Sequence, residues 1–348
     1  MTTTDIVTVA SRRPLERRTL RRVLARPEIG ALVAALAVMV FFSVYTRNFM
    51  TLAGAGVWTE SASTFGIMAV AVALLMIGGE FDLSAGVMTG FTALIVGVLT
   101  TNYGVNIWIA AVVSLAAALG VGALNGILVM RTGLPSFIVT LGTFFVLAGV
   151  DLAVTKLITG QVAIQGMTAV PFYDTIQPLF GSSTSIGGGV FYISVLWWVL
   201  ATALATWVLL RTRAGNWIFA VGGAPNSSRQ VGVPVFRTKV GLFMTTAGAA
   251  WLVGMISLFR TSTVQANTGV GQEFIYIICA VVGGCLLTGG YGSAIGAALG
   301  ALIYGTVFQG ITFAQWDTNW LRTFLGAMLL LAVFLNHWVR LRAGGGAK

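Results

Sequence analysis

Long apolar runs separated by short polar connections dominate this chain from residue 29 onward. A helix of about 20 apolar residues crosses the roughly 30 Å hydrocarbon core of a bilayer and satisfies its own backbone hydrogen bonds there. Two uncharged runs, 83–130 and 274–316, have about twice the length that one crossing needs. Each is therefore predicted to fold back once, at a polar turn over 101–106 and at a glycine break over 289–293.

The pattern predicts an all-α, polytopic membrane protein with about ten transmembrane helices. The predicted spans are 29–46, 61–79, 83–100, 107–130, 136–157, 189–210, 238–260, 273–289, 293–313 and 320–340. Composition agrees, because only 9% of the residues are charged and 44 are glycine. Glycine lets helix backbones approach each other closely in lipid.

Positive charge orients the predicted spans. Sixteen of the 20 Lys and Arg residues fall on predicted cytoplasmic segments, which predicts cytoplasmic placement of both termini. Seven of the sixteen are arginines of the N-terminal arm, 1–28, which is interpreted as a topology signal rather than a nucleic-acid-binding segment or a cleaved signal peptide. The transmembrane domain is predicted over 29–340 and a cytoplasmic tail over 341–348. The four residues predicted outside are Arg47, Lys156, Arg260 and Arg322.

The sequence lacks the residues that several classes of chemistry require. The chain has no G-x-x-x-x-G-K-[ST] loop and no H-E-x-x-H motif, and His337 is the single histidine. Cys279 and Cys285 share one apolar run and are expected to form neither a disulfide nor a metal site. No catalytic residue, metal site or cofactor is therefore predicted in this chain.

The first candidate for a translocation pathway is the segment 78–86, which places Glu80 and Asp82 between two apolar helices. A charge costs roughly 2.5–3.5 kcal/mol at the centre of a bilayer, so the presence of two carboxylates between these helices requires a structural or functional explanation. One interpretation is a helix start at an inner vestibule, where Asp82 or Ser84 caps the following helix. The alternative is an ordinary cytoplasmic turn.

Two further segments carry polar candidates. Thr140 and Thr143 share a helix face and are predicted to line a polar path, although threonine more often bonds its own helix backbone. Asn267 and Glu273 lie in a predicted outer segment crowded with hydrogen-bonding groups. That segment is either part of an external mouth or a solvated loop.

The inner connection over 211–237 is the best candidate for docking a soluble partner. It carries Arg211, Arg213, Arg229 and Arg237 between two predicted spans. Paired glycines also interrupt the apolar runs at 78–79 and 289–290, on the same predicted membrane side. Such paired breaks are typical of transporters built from repeats.

Taken in order, these segments resemble the permease subunit of bacterial ABC importers for simple sugars of the ribose, xylose and fructose type. The segments that carry the resemblance are GGEFDLSAG at 78–86, NGILV at 125–129, PSFIVTLGT at 135–143, VGGAPNSSRQVGV at 221–233, GVGQEF at 269–274 and AVVGGCLLTGGYGSAIGAALGALI at 280–303. The resemblance covers nearly everything after the N-terminal arm.

The resemblance implies a bacterial inner-membrane protein that works with separate subunits. It implies three protein partners: a second permease copy, an ATP-binding cassette subunit that binds the ATP, and an extracytoplasmic solute-binding protein. Membrane lipid is a further expected partner of this chain, and nucleic acid is not. By position it also implies a coupling segment that contacts the ATPase, formed by Gly222, Gly223, Asn226, Ser228, Arg229, Gly232 and Val233.

Three alternatives to sugar import share some of these sequence features. A permease for branched-chain amino acids shares the architecture and the coupling, and only the resemblance separates it from a sugar permease. An ion-coupled secondary transporter would need ionisable groups deep in the helices, for which Asp151 and Lys156 are the main candidates. An intramembrane enzyme is disfavoured by the missing motifs.

Overall fold

The computed structural model describes residues 27–344, with side chains over 28–334. The arginine-rich part of the N-terminal arm and residues 345–348 lie outside the described residues. The described chain is mostly helical, and its thirteen α-helices are α1 Pro27–Tyr45, α2 Leu52–Ile77, α3 Ala85–Thr101, α4 Ile107–Thr132, α5 Ser136–Thr159, α6 Tyr173–Phe180, α7 Ile193–Arg211, α8 Arg213–Gly223, α9 Pro225–Gln230, α10 Val235–Thr261, α11 Gln272–Val282, α12 Ala294–Phe313 and α13 Trp320–Gly344.

Seven of these helices, α1, α2, α4, α5, α7, α10 and α12, are long and apolar enough to cross a membrane. Three shorter apolar helices, namely α3, α11 and the part of α13 over Trp320–Phe334, overlap the remaining predicted spans. The structure thus confirms a helical, multi-pass protein. The count of ten crossings and the cytoplasmic placement of both termini stay predictions.

Two predicted span boundaries are wrong. Helix α2 begins at Leu52 rather than 61, because Thr51 accepts a hydrogen bond from the backbone N–H of Gly54 (3.1 Å) and so caps the helix. Glu60, the charged residue that set the predicted start of this span at 61, lies inside the helix. Helix α11 ends at Val282 rather than 289, where Gly284 adopts a left-handed conformation (φ 93°).

Helices α2, α10 and α12 form the centre of the bundle, and α1, α5 and α7 lie at its periphery. α2 packs most extensively against α12, and α10 packs against α4, α3 and α2. Two ion pairs also join α2 and its following turn to α10. Arg260 pairs with Glu60 inside α2, and Lys239 pairs with Glu80 just after α2.

The connections on the predicted outer side contain strands, which the all-α prediction did not include. β1 (Ala163–Ile164) pairs antiparallel with β4 (Val264–Gln265), and β2 (Ser183–Ile186) forms a hairpin with β3 (Gly189–Tyr192). The hairpin lies next to the start of α2, and the guanidinium carbon of Arg260 lies 5.9 Å from the centre of the Tyr192 ring. The outer loop 159–188 is therefore folded against the helices.

Candidate functional site: the coupling segment and the buried polar network

The inner connection folds into two short helices, α8 and α9. Thr212 caps α8 by accepting a hydrogen bond from the backbone N–H of Gly215 (3.2 Å), and Ile218 and Val221 bury one face of this helix. α9 begins with Pro225 at a position where the missing N–H costs nothing. The segment predicted to couple is thus an ordered pair of helices attached to α7 and α10.

The predicted coupling residues divide into exposed and packed groups. Asn226 and Arg229 are exposed on α9, whereas Ser228 is buried and donates its hydroxyl hydrogen bond to Ala224 O (2.8 Å). The exposed positions also include Gly223 and Gly232, while Gly222 and Val233 are partly buried. Their assignment to ATPase contact stays a prediction.

Val231 is a candidate that the sequence did not single out. Its side chain follows α9 and is 79% exposed. An exposed apolar side chain close in sequence to the exposed Arg229 is suited to burial against a partner protein. Nothing in the sequence marks Val231, because its exposure depends on how α9 ends at Gln230 and turns back through Gly232 (φ 83°).

A buried polar network organises the predicted pathway segment. The N–H and hydroxyl of Ser84 both donate to Asp82 Oδ1 (2.8 and 2.6 Å), and Asn125 Nδ2 donates to Ser84 Oγ (3.0 Å). Thr143 Oγ1 then donates to Asn125 Oδ1 (2.6 Å).

The same segment is attached to the start of α5 through its backbone. Phe81 N donates to Ser136 Oγ (3.0 Å), and Leu83 N donates to Thr140 Oγ1 (3.0 Å). Thr140 also donates to Ser136 O (2.8 Å), so the expected bond to its own helix backbone exists alongside the longer-range one. The network gives four predicted pathway residues, Asp82, Ser84, Thr140 and Thr143, one location.

That location lies within the bundle rather than at its surface. Asn125 precedes the end of α4 by seven residues, which places Ser84 about 10 Å along the helix from that end. Glu80, Asp82, Ser84 and Thr140 are all buried, at most 8% exposed. The Asp82 carboxylate and the Thr140 hydroxyl accept backbone N–H groups and so hold this segment in place, and a role in contacting solute stays a prediction.

The two candidates in the predicted outer segment, Asn267 and Glu273, differ in how far they are buried. Asn267 is exposed, whereas Glu273 is 3% exposed and accepts a hydrogen bond from Gly271 N (3.0 Å) through Oε2. A Cβ on Gly86 would collide with the Glu273 carboxylate, so the start of α11 touches the start of α3. Residues 264–273 therefore run from the outer sheet into the bundle along α3, and their part in an external mouth stays a prediction.

Two mainly apolar grooves flank α7. One, of about 680 Å³, lies between α7, α2, α8 and α10, with Trp217 and Arg237 among its lining residues. The other, of about 580 Å³, lies between α7 and α12. Such walls offer few hydrogen-bond partners to a hydroxylated solute, and they suit lipid chains better.

Comparison with known proteins agrees with this geometry. A model of the family described as branched-chain amino acid transport system / permease component matches residues 55–333. The chain belongs to this family of transport permeases. The match includes the buried network, the coupling segment and both glycine breaks, and it excludes α1 and the N-terminal arm.

Curated relatives cover most of this permease. The fructose import permease protein of Rhizobium meliloti is 31% identical over 304 residues, which is 86% of this chain and 80% of the relative. An inner membrane ABC transporter permease protein of Escherichia coli (strain K12) is 30% identical over 277 residues, 78% of this chain and 80% of the relative. The ribose import permease protein of the same strain is 29% identical over 311 residues, which is 89% of this chain and 94% of the relative. No solved structure matches the chain.

Proposed function

We propose that this permease imports a monosaccharide or related polyol across the bacterial inner membrane as part of an ATP-driven importer. The observation that carries the proposal is the extended similarity to permeases named for fructose and ribose import, over at least 80% of each relative. The multi-pass helical structure agrees with this function. The chain has no P-loop sequence of its own, so ATP is bound and hydrolysed in a separate subunit.

Two permease copies enclose the pathway in this proposal. A solute-binding protein delivers the sugar from outside. On the inner side, α9 presents Asn226 and Arg229 to the ATPase, and Val231 directly after α9 adds an apolar contact. Closure of the ATPase drives alternating access through a hinge motion.

Uptake into proteoliposomes tests the proposed function. The permease is reconstituted with its ATPase and binding protein, and uptake of radiolabelled ribose, fructose, xylose and leucine is measured with and without internal ATP. We expect uptake of at least one sugar that requires ATP. The leucine arm addresses the amino-acid alternative that the family description supports. ATP-dependent leucine uptake without sugar uptake would contradict the proposal.

Charge reversal at Arg229 is expected to weaken ATPase docking. Arg229 is exposed on α9, so Arg229→Glu leaves the fold intact but places a like charge against a surface suited to arginine. We expect affinity for the ATPase to fall about tenfold or more, since a misplaced charge at an interface costs several kcal/mol. Co-purification and uptake measure the change. Arg322→Glu, an exposed arginine on the predicted outer side, is the control and should retain docking.

A substitution at Asp151 separates ATP-driven from ion-driven transport. Asp151 is 3% exposed within α5, and its Oδ2 has no hydrogen-bond partner among the described residues. A buried, unpaired carboxyl is the group that an ion-coupled carrier needs, whereas an ATP-driven permease does not. We therefore expect Asp151→Asn to keep ATP-dependent uptake within about twofold of wild type. Abolished uptake, with the protein still folded, would favour the ion-coupled alternative.

A further inference from the structure

Three stretches of backbone that are far apart in sequence meet on the predicted inner side. The first follows α2, the second ends α8 in the coupling segment, and the third lies between α11 and α12. We call this contact the glycine junction and define it by Gly79, Gly222, Gly289 and Gly290.

A hydrogen bond joins two of the three stretches directly. Gly290 N donates to Ile77 O at 2.8 Å, which links the turn after α11 to the last residue of α2. A Cβ on Gly222 would collide with that same Ile77 carbonyl oxygen and would lie 2.7 Å from Gly290 N. Gly222 of the coupling segment therefore lies directly against the bond that joins the other two stretches.

The remaining contacts are also made by backbone atoms. A Cβ on Gly289 would lie 2.7 Å from the Cα of Gly79, and a Cβ on Gly290 would lie 2.8 Å from the Cα of Gly223. Gly79, Gly289 and Gly290 all have left-handed φ values (82°, 78° and 74°), which L side chains rarely adopt. Since no flexible side chain lies between the three stretches, a displacement of one stretch must move the others.

The junction connects the exposed coupling residues to the central helices over a short distance. Arg229 is seven residues from Gly222, and the six-residue α9 forms most of that distance. Beyond the junction, Glu80 follows Gly79 directly and pairs with Lys239 at the start of α10. A shift of the coupling segment therefore reaches α2, α10 and the α11–α12 hairpin together.

We infer that the glycine junction is where movement of the ATPase is transmitted to both glycine breaks of the permease at once, with Gly222 as its central positioning residue. This inference rests on the proposed function. It assigns to Gly222 a role in transmission that is separable from the docking role of Arg229.

The test is the pair Gly222→Ala and Gly120→Ala in the complete importer. Both glycines lie in helices, but Gly120 is on α4 outside the coupling segment, and a Cβ there would meet nothing within 4 Å. We expect Gly222→Ala to bind the ATPase and to hydrolyse ATP within about twofold of wild type while sugar uptake falls about tenfold or more. Gly120→Ala should retain uptake. Uptake by Gly222→Ala equal to that of Gly120→Ala would overturn the inference.

If Gly222→Ala does not accumulate, hydrogen–deuterium exchange on the wild-type importer tests whether movement is transmitted through the glycine junction. Backbone amides in 219–223 and 286–292 are compared between the nucleotide-free complex and the complex trapped with ADP and vanadate. We expect exchange to change in both segments together, because the Gly290 amide is bonded at the junction. Unchanged exchange at 286–292 would overturn the inference. Wild-type vesicles without ATP-dependent sugar uptake would instead overturn the proposed function.

Discussion

Replacing Lys239 by methionine is expected to destabilise the folded permease by about 3–5 kcal/mol, because the substitution leaves the Glu80 carboxylate buried without its partner. The two side chains are each only 11% exposed, so water cannot replace the lost ammonium group. The measurement is unfolding of the purified permease in detergent, followed by size-exclusion fluorescence. A loss of this size is a large fraction of the stability of most proteins.

The double variant Glu80→Gln/Lys239→Met shows whether the loss comes from the unpaired charge. With both charges removed, we expect most of the stability to return, and the double-mutant cycle should give a coupling energy well above the error of additive sites. Lys156→Met, at an exposed lysine of α5, is the control and should change stability by less than about 0.5 kcal/mol. A Lys239→Met protein as stable as wild type would show that the Glu80 carboxylate does not depend on Lys239 as its buried partner.

Gly269→Ala is expected to separate α3 from the segment that enters the bundle before α11. A Cβ at Gly269 would collide with Gly86 O and with the Thr89 hydroxyl, and the left-handed φ of 83° adds strain. The overpacking alone should cost about 1–3 kcal/mol. Because Glu273 lies against the same face of α3, we also expect reduced uptake. Thermal unfolding and uptake measure the two effects.

Gly271→Ala isolates the steric contribution in this prediction. Gly271 has nearly the same conformation (φ 86°), but a Cβ there would meet nothing within 4 Å. Both variants therefore carry the strain of a left-handed alanine, roughly 1–2 kcal/mol, and only Gly269→Ala carries the collision. Equal losses in the two variants would contradict the close approach of α3 and residues 264–273.

The sequence predicted those features that depend on neighbouring residues. Uncharged runs located every long apolar helix, because spanning length and backbone hydrogen bonding are local requirements. The start of α2 was predicted too late because Glu60 is charged, and a charge normally lies outside a span. Its partner Arg260 comes from a helix that is distant in sequence, so the pairing could not be foreseen. The early end of α11 depends on backbone geometry at Gly284, and hydropathy carries no information about that.

The candidate site was predicted as a set of residues but not as an arrangement. Asp82 and Ser84 were expected near a helix start, and the structure has Asp82 accepting the N–H of Ser84 just before α3. Their link to Asn125 could not be foreseen, because it joins segments 41 positions apart. The buried environment of Glu273 likewise follows from a connection that enters the bundle, whereas hydrogen-bonding composition alone left an external mouth and a solvated loop equally open.

The two ion pairs between α2 and α10 have a consequence for biogenesis. Lys239 follows Glu80 by 159 positions, so the ribosome delivers both acidic residues to the membrane long before either basic one. A nascent chain that ends before α10 holds two carboxylates without counter-ions, and these favour contact with water or with the insertion machinery over lipid. Both carboxylates therefore gain their basic partners only when synthesis has reached α10.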